Sequence, residues 1–241
     1  MVLLTFTQSR YDMRKKITLK AQAYNEIKEK IIKCEYKPGA NLNEDMLIEA
    51  LKIGRTPIRD ALSRLEQEGL IEIFSKKGIR VSPLTANNIN MLFEIRLMYE
   101  PYVIRNKGNL LSPKELHDFY DAFTNKEKAE IEHYDAEYFY RLDSDFHNFI
   151  MHASSNTYMH KSYDLIQTQS ERFRYMTGEM NINRINSSTK EHCDILEACL
   201  LQDWDLAAQK MIDHLNESKK ATFRIYFENI EGIESYLDFT K

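Results

Sequence analysis

Hydrophobic positions near the start of the chain recur at a helical spacing. They lie four residues apart, with lysines and glutamates between them, and are Leu19, Ala23, Ile27 and Ile31. This period predicts an amphipathic first helix. The helix is expected to end before the segment YKPGANL, because Pro38 lacks an amide donor and Gly39 allows a turn conformation.

A short second helix and a longer third helix are predicted to follow. Asn43 is a suitable N-cap for the second helix. The third is the segment GRTPIRDALSRLEQEGL, with Gly69 as its C′ residue. Its start has two interpretations: either Thr56 is the cap and Pro57 the first helical residue, or Gly54 is the cap and Pro57 the third. Both interpretations leave two arginines at the exposed N-terminal end of this helix.

The next two segments, LIEIF and IRVSP, alternate apolar and polar residues on either side of SKKG. This alternation, with Gly78 in the left-handed turn position, predicts a β-hairpin. Three short helices followed by a two-stranded hairpin form a winged helix-turn-helix. Residues 1–84 are therefore predicted to be a DNA-binding domain of this type.

After the hairpin only helical patterns follow. The predicted helices cover about residues 87–106, 113–124, 134–153, 156–176, 188–202 and 204–226. Ser112 is a suitable helix start, Ser188 with Glu191 forms a capping box, and GNLLSP and GEMNINRINSS are predicted loops. Residues 85–241 are expected to form an antiparallel bundle of about six helices, so the fold class is mainly α.

Composition excludes several classes of protein. The 241 residues are 43% hydrophobic, which is enough to bury a substantial core. No apolar run approaches the ~18 residues that span a bilayer, and the segment MVLLTFTQSR has too short an apolar core for a secretory signal. Three cysteines form no disulfide framework and fit a reducing compartment. We therefore expect a cytoplasmic protein with no membrane partner.

Charge is distributed unevenly along the chain. The formal net charge is −4, but residues 1–84 hold 16 Lys and Arg against 11 Asp and Glu, a net charge of +5. The other 157 residues have a net charge of −9. A basic winged module on an acidic helical body places a nucleic-acid partner at the first domain.

The third helix carries side chains suited to reading DNA. A recognition helix enters the major groove with its N-terminal residues against the base edges. Arg55 and Arg59, one turn apart, can each donate two parallel hydrogen bonds to a guanine. Further candidate contacts, to phosphates, are Thr56, Ser63, Lys76 and Lys77. Two arginines on a helix are more often solvated surface residues, but the hairpin that follows favours DNA binding.

A series of motifs extends over the segment YKPGANLNEDMLIEALKIGRTPIRDALSRLEQEGLIEIFSKKGIRVSPL. A Pro-Gly turn, an Arg-Thr-Pro-x-Arg helix start, LEQEGL and a Gly-containing wing occur in order. The segment resembles the DNA-binding half of the GntR family of bacterial transcription regulators. The resemblance implies that Arg55 and Arg59 contact double-stranded operator DNA and that Gly78 marks the wing tip. The family commonly has Ser or Thr where this chain has Gly54, so Gly54 is not expected to contact DNA.

Four side chains that can bind a metal lie on apolar faces of the predicted bundle. Asp143 and His147 share one helix face, His192 begins the apolar stripe of EHCDILEACLL, and His214 takes the inward position in AAQKMIDHL. A single histidine on such a face is usually a core residue, but these four could meet inside the bundle. One carboxylate with three imidazoles suits Zn²⁺, Ni²⁺ or Mn²⁺. Cys193 is a weak rival, because it points about 100° away from its neighbour.

These positions also fit a known pattern. The sequence has Asp-x-x-x-His on one predicted helix, Glu-His at the start of a later one, a final His before Leu, and the Arg-x-x-x-Glu of Arg96 and Glu100. Together these motifs resemble the FadR-like branch of the GntR family. The resemblance spans about residues 15–220. It implies a metal that helps to hold a small organic acid effector, with Arg96 and Glu100 at the effector site, and a homodimer that more commonly represses than activates. A structural salt bridge between Arg96 and Glu100 is the alternative interpretation.

Two other functions would use the same Asp/His site. A metal-dependent enzyme could activate water at an open metal position. However, no extra general base or nucleophile signature accompanies the site, and the basic winged head would have no purpose. A direct metal sensor would respond to the metal without an organic ligand. We predict a DNA-binding regulator that is not an enzyme and whose operator affinity an effector controls.

Overall fold

The structure is a computed structural model that describes residues 17–74, 78–124, 136–176 and 182–237. The chain divides into two compact units between Pro83 and Leu84. Each unit buries its own cluster of hydrophobic side chains. We call them the winged unit and the helical unit. DNA binding by the winged unit and effector binding by the helical unit stay predictions.

In the residues that the structure describes, the winged unit contains three helices and a small sheet. Its elements are α1 (Leu19–Ile32), β1 (Asn41–Leu42), α2 (Glu44–Leu51), α3 (Arg55–Gln67), β2 (Ile71–Phe74) and β3 (Gly78–Val81). β3 pairs antiparallel with both β1 and β2, so the strand order is β1-β3-β2. The predicted hairpin of β2 and β3 is confirmed. β1 was not predicted, because two residues are too few for an alternating pattern.

The boundaries of α3 decide between the two sequence interpretations. α3 begins at Arg55, and Gly54 is an extended N-cap that makes no side-chain hydrogen bond. Pro57 is therefore the third helical residue, where its missing amide donor costs no intrahelical bond. At the other end, Gly69 has a φ of +69° and its amide donates to the Glu66 carbonyl at 2.9 Å. This confirms Gly69 as the C′ residue.

A polar cluster joins α1 to α3 beside the apolar core. The Tyr24 hydroxyl donates to the Glu68 carboxylate, whose oxygens lie 2.7 and 2.8 Å away, and Lys28 donates to the same carboxylate at 2.9 Å. The Arg64 guanidinium lies 3.7 Å from the centroid of the Tyr24 ring. These contacts fix the orientation of α3, which carries the candidate reading arginines.

The helical unit consists of six described helices. They are α4 (Ala86–Lys107), α5 (Pro113–Thr124), α6 (Ala136–His152), α7 (Thr157–Met176), α8 (Ile182–Leu200) and α9 (Trp204–Leu237), with a 3-10 turn at Gly108–Leu110. The mainly α fold class, a winged helix-turn-helix plus a helical bundle, is confirmed. The predicted helix start at Ser112 is also confirmed, since its hydroxyl accepts from the Glu115 amide at 3.3 Å.

Two predicted boundaries in this unit were wrong. α8 begins at Ile182, so Ser188 lies inside the helix instead of capping it, and part of the predicted loop is helical. The Asn and Ser residues of this segment have low helix propensity, but burial of Ile185 and Ser188 overrides it. α9 continues to Leu237, beyond the predicted end at residue 226.

None of the described helices is long and apolar enough to cross a membrane.

Candidate DNA-reading surface and metal centre

The four candidate DNA contacts on α3 lie at the surface of the winged unit, and we call them the candidate reading surface. Arg55 and Thr56 are in the first turn, Arg59 is one turn on, and Ser63 is one turn further. All four are exposed. The apolar side of the same helix is buried, so its charged side remains accessible to a partner.

The wing is described on both sides of its tip. Gly78 begins β3 with a φ of +96°, a conformation that favours glycine. A Cβ at this position would also lie 3.3 Å from the Leu42 carbonyl oxygen. The other two predicted wing contacts, Lys76 and Lys77, lie outside the described residues.

Each arginine of the candidate reading surface contacts a carboxylate of α2. Arg59 Nε donates to the two Glu44 oxygens at 2.9 and 3.0 Å, and Arg55 Nη2 donates to Asp45 at 2.6 Å. Asn43 caps α2 through its side chain, which places both acids in the first turn, where the helix dipole favours them. Sequence reasoning missed these partners, although the run Asn-Glu-Asp at a helix start is the signal that could have found them.

In the helical unit, the structure brings Asp143, His147, His192 and His214 together. α6 supplies the first two, and α8 and α9 supply one histidine each. One potential ligand atom from each residue lies within 4.8 Å of the others. His192 Nε2 is 3.2 Å from His214 Nε2 and 3.5 Å from an Asp143 oxygen. The three histidines are buried and Asp143 is partly buried.

The Nε2 atoms of His147 and His214 are suited to bind an ion, because the other nitrogen of each ring, Nδ1, contacts a carboxylate. His147 Nδ1 lies 2.7 Å from Glu100 Oε2, and His214 Nδ1 lies 2.7 Å from Glu191 Oε2. A carboxylate neighbour places the ring proton on Nδ1 and leaves a lone pair on Nε2. His147 Nε2 is buried without a hydrogen-bond partner among the described residues, which is costly unless an ion satisfies it. The donor set of three imidazoles and one carboxylate fits Zn²⁺, Ni²⁺ or Mn²⁺.

Burial and neighbouring charges set the protonation of the cluster. Burial, and then the neighbouring His214, lower the pKa of His192 well below its usual value, and burial with His147 does the same for the pKa of His214. Both rings are therefore neutral, as metal binding requires. Burial alone would raise the pKa of Asp143, but the guanidinium of Arg174, which donates to it at 2.8 Å, lowers that pKa. The Asp143 carboxylate is ionised.

Arg96 and Glu100 form a buried ion pair on α4, next to His147. Arg96 Nε donates to Glu100 Oε1 at 2.6 Å, and the Tyr163 hydroxyl donates to the same oxygen at 2.7 Å. Burial would raise the pKa of Glu100, but Arg96 and His147 hold it well below its usual range. Arg96 Nη2 is buried and has no hydrogen-bond partner within the described ranges.

A cavity of about 100 Å³ lies beside the Asp/His cluster. Three guanidinium groups line it, from Arg96, Arg174 and Arg184, together with Asp143 and His214. Its remaining polar lining consists of residues with hydroxyl groups, which are Tyr140, Ser170, Ser188, Ser218 and Thr222. Sequence reasoning missed two of the arginines. Arg184 fell in a segment predicted as a loop, and Arg174 has no motif partner nearby in the sequence.

Comparisons with known proteins add to this geometry. Residues 19–81 match the family described as bacterial regulatory proteins, gntR family, and residues 91–217 match the FCD domain. The HTH-type transcriptional repressor RspR of Escherichia coli (strain K12) is 23% identical over 208 residues, which cover 86% of this chain and 90% of RspR.

Two solved structures share the fold. E. coli McbR/YncC gives a TM-score of 0.70 at 19% identity, over 87% of this chain and 99% of that one. The metal-free FCD domain of TM0439 gives a TM-score of 0.53 at 20% identity, over 61% of this chain and 99% of that one.

Proposed function

This chain belongs to the GntR family of bacterial regulatory proteins and carries an FCD domain, and from this premise we propose that it is a homodimeric repressor controlled by a small organic acid. Family membership makes it a DNA-binding transcriptional regulator and not an enzyme. The proposal concerns what the helical unit binds and how that binding changes operator affinity.

The observation that carries the proposal is the cavity beside the Asp/His cluster. Three arginines face a space of about 100 Å³, well below the ~300–1,000 Å³ of pockets for drug-sized ligands. Guanidinium groups bind carboxylates through parallel, charge-assisted hydrogen bonds. A cavity of this volume that is lined by three arginines favours a small carboxylate.

We assign distinct roles to the residues around the cavity. Asp143, His147, His192 and His214 would hold a divalent ion, and such an ion, when bound, attracts a carboxylate oxygen as a Lewis acid. Arg96 would give the effector a second contact through Nη2. Glu100 lies behind both groups, with its oxygens engaged by Arg96, Tyr163 and His147. Its proposed part in the effector site is therefore to position Arg96 and His147.

The winged unit would bind double-stranded operator DNA. Arg55 and Arg59 are the proposed base-reading residues, with further contacts from Thr56, Ser63, Gly78, Lys76 and Lys77. Two copies of the chain would match a two-fold operator. Effector control requires that the small acid bind more tightly to one of the two states, DNA-competent or DNA-incompetent. The printed name of RspR, a repressor, supports repression as the outcome.

One experiment tests these points together. The purified chain is used to select duplexes from a random-sequence library, and its affinity for the best duplex is measured with Zn²⁺, Ni²⁺ or Mn²⁺ and a panel of small carboxylic acids. We expect one acid to change the affinity by about 5- to 150-fold, the usual range of allosteric coupling.

Two outcomes would change the proposal. A response to the metal alone, with no acid in the panel having an effect, would indicate a metal sensor. Failure to enrich any duplex would remove the DNA-binding assignment.

A further inference from the structure

One acidic side chain lies between the two proposed reading arginines. Both Glu44 oxygens accept from Arg59 Nε, at 2.9 and 3.0 Å, and one of them lies 3.6 Å from Arg55 Nη1. The Glu44 side chain is less exposed than either arginine. Glu44 therefore supports the two arginine side chains from the protein side.

A carboxylate at this place has a cost for DNA binding. Phosphates attract the basic winged unit regardless of sequence, and each negative charge close to them weakens that attraction. If affinity for any duplex were the only requirement, a neutral or basic residue would serve better.

The hydrogen bonds of Glu44 leave one edge of the Arg59 guanidinium available. Nε is engaged by Glu44, whereas Nη1 and Nη2 can still donate two parallel bonds to guanine O6 and N7. An unrestrained arginine would lose rotamer freedom on binding, which lowers the affinity for DNA. Restriction by Glu44 before DNA arrives removes part of that loss.

We propose that Glu44 is a positioning residue for DNA recognition, which orients Arg59 for end-on contact with a guanine and disfavours duplexes that lack this base. The inference rests on the proposed function of Arg59. It gives Glu44 a role in the ratio of specific to non-specific affinity, the quantity that matters when most sites on a chromosome are wrong ones.

Glu44 suits this role better than its neighbour Asp45. Among the described residues, Asp45 pairs only with Arg55, whereas Glu44 reaches both arginines. Glu44 is also fixed at its own end, since it is the first residue of α2 and follows the N-cap Asn43. The orientation of Arg59 is therefore set by the packing of α2 against α3.

The test compares two duplexes of equal length: one selected by the wild-type chain from a random-sequence library, and a scrambled version of it. We expect Glu44→Ala to lower the affinity for the selected duplex about tenfold, within the range of one lost bidentate contact, and to raise the affinity for the scrambled duplex. Glu44→Gln should retain most of the specificity, because its amide oxygen can still accept from Arg59 Nε.

Asp60→Ala is the matched control. It removes one negative charge from α3, and the Asp60 carboxylate pairs with Lys20 at 3.3 Å. We expect it to raise the affinity for both duplexes by the same small factor, so that their ratio is unchanged. Thermal melting followed by circular dichroism shows whether each variant is folded. If Glu44→Ala is not folded, Glu44→Gln still tests the role of the charge.

The double variant Glu44→Ala/Arg59→Ala separates the possible failures. If Glu44 acts through Arg59, the double variant binds the selected duplex no more weakly than Arg59→Ala does. The positioning role would be overturned if the two substitutions lowered the affinity for the selected duplex additively. It would also be overturned if Glu44→Ala raised the affinity for both duplexes by the same factor. If Arg59→Ala itself has no effect, the proposed reading assignment fails, and the positioning role fails with it.

Discussion

The two units of this protein contain the same kind of contact in opposite surroundings. The Arg55–Asp45 and Arg96–Glu100 pairs both have a nitrogen–oxygen distance of 2.6 Å. The side chains of the first pair are 55% and 80% exposed, and those of the second are 6% and 0% exposed. The exposed Arg55 is accessible for its proposed contact with a DNA base, whereas the buried pair is fixed by further hydrogen bonds.

This difference shows how one type of interaction serves two purposes. Exposed ion pairs contribute about 0–1 kcal/mol to stability, so the arginines of the winged unit can contact a partner at little cost to folding stability. Breaking a buried pair leaves an uncompensated charge, which costs about 3–5 kcal/mol. Substitutions in the winged unit should therefore change binding, and substitutions in the cavity wall should change both binding and folding.

The largest expected effect is loss of metal from the helical unit. Replacing His192 and His214 together by Ala removes two of the four proposed ligands, so the purified protein should contain no stoichiometric metal by elemental analysis. The winged unit should remain folded, because it has its own core. His152→Ala is the control, since His152 is exposed and its Nδ1 contacts the Asn148 carbonyl. Full metal content in the double variant would show that the ligand assignment is wrong.

The next largest effect is expected from the buried ion pair. Glu100→Ala leaves Arg96 without its carboxylate and should destabilise the metal-free helical unit by about 3–5 kcal/mol. Asp205→Ala breaks the exposed pair with Arg105, whose distance is 2.7 Å, and should cost about 0–1 kcal/mol. Urea unfolding followed by the fluorescence of Trp204, the single tryptophan of the chain, measures both. Equal losses in the two variants would contradict the comparison.

A smaller effect is expected at the candidate reading surface. Arg59→Ala should weaken binding to a selected operator by about 1–3 kcal/mol and relax base preference at one position. Folding stability should change little, because the Arg59 side chain is exposed. Fluorescence anisotropy with a labelled duplex gives the affinity. Unchanged affinity would remove Arg59 from the reading residues.

The smallest effect is a pH dependence in the winged unit. Burial would raise the pKa of Glu68, but hydrogen bonds from Lys28 and Tyr24 lower it below its usual value of 4.5. A carboxylate with a lowered pKa in the folded state stabilises the fold above its usual pKa, and this stabilisation is lost as the pH falls through the folded pKa. Glu68→Gln should therefore cost on the order of 1 kcal/mol or less at neutral pH, and the difference should shrink in acid.

Amide hydrogen exchange of peptides from α1 and α3 measures this prediction in the full chain. Wild type and Glu68→Gln are compared at each pH, so that the intrinsic pH dependence of exchange cancels. Glu66→Gln is a suitable control, because Glu66 is exposed and accepts from the Ile73 amide at 3.1 Å. A difference in protection that is constant with pH would show that Glu68 does not contribute through its charge.

Much of the fold could be predicted from local patterns. The helical period of α1, the alternation of β2 and β3, and the C′ position of Gly69 depend on residues a few positions apart, so a linear sequence contains the needed information. The start of α8 could not be predicted, because Asn and Ser in its first turns favour other conformations, and the burial of Ile185 and Ser188 overrides that preference. The strand β1 was missed because it has only two residues and because its partner strand β3 lies almost forty residues away along the chain, from Asn41 to Arg80.

By itself, the sequence determined which chemistry is present: arginines at a helix start, and an aspartate and three histidines on apolar helix faces. Tertiary structure alone decided their surroundings. It placed Glu44 against Arg59, formed an arginine-lined cavity beside His214, and supplied Glu100 and Glu191 to orient two imidazole rings. The physical reason is that burial and hydrogen-bond partners depend on distances between helices that are far apart in the sequence, and only packing sets those distances.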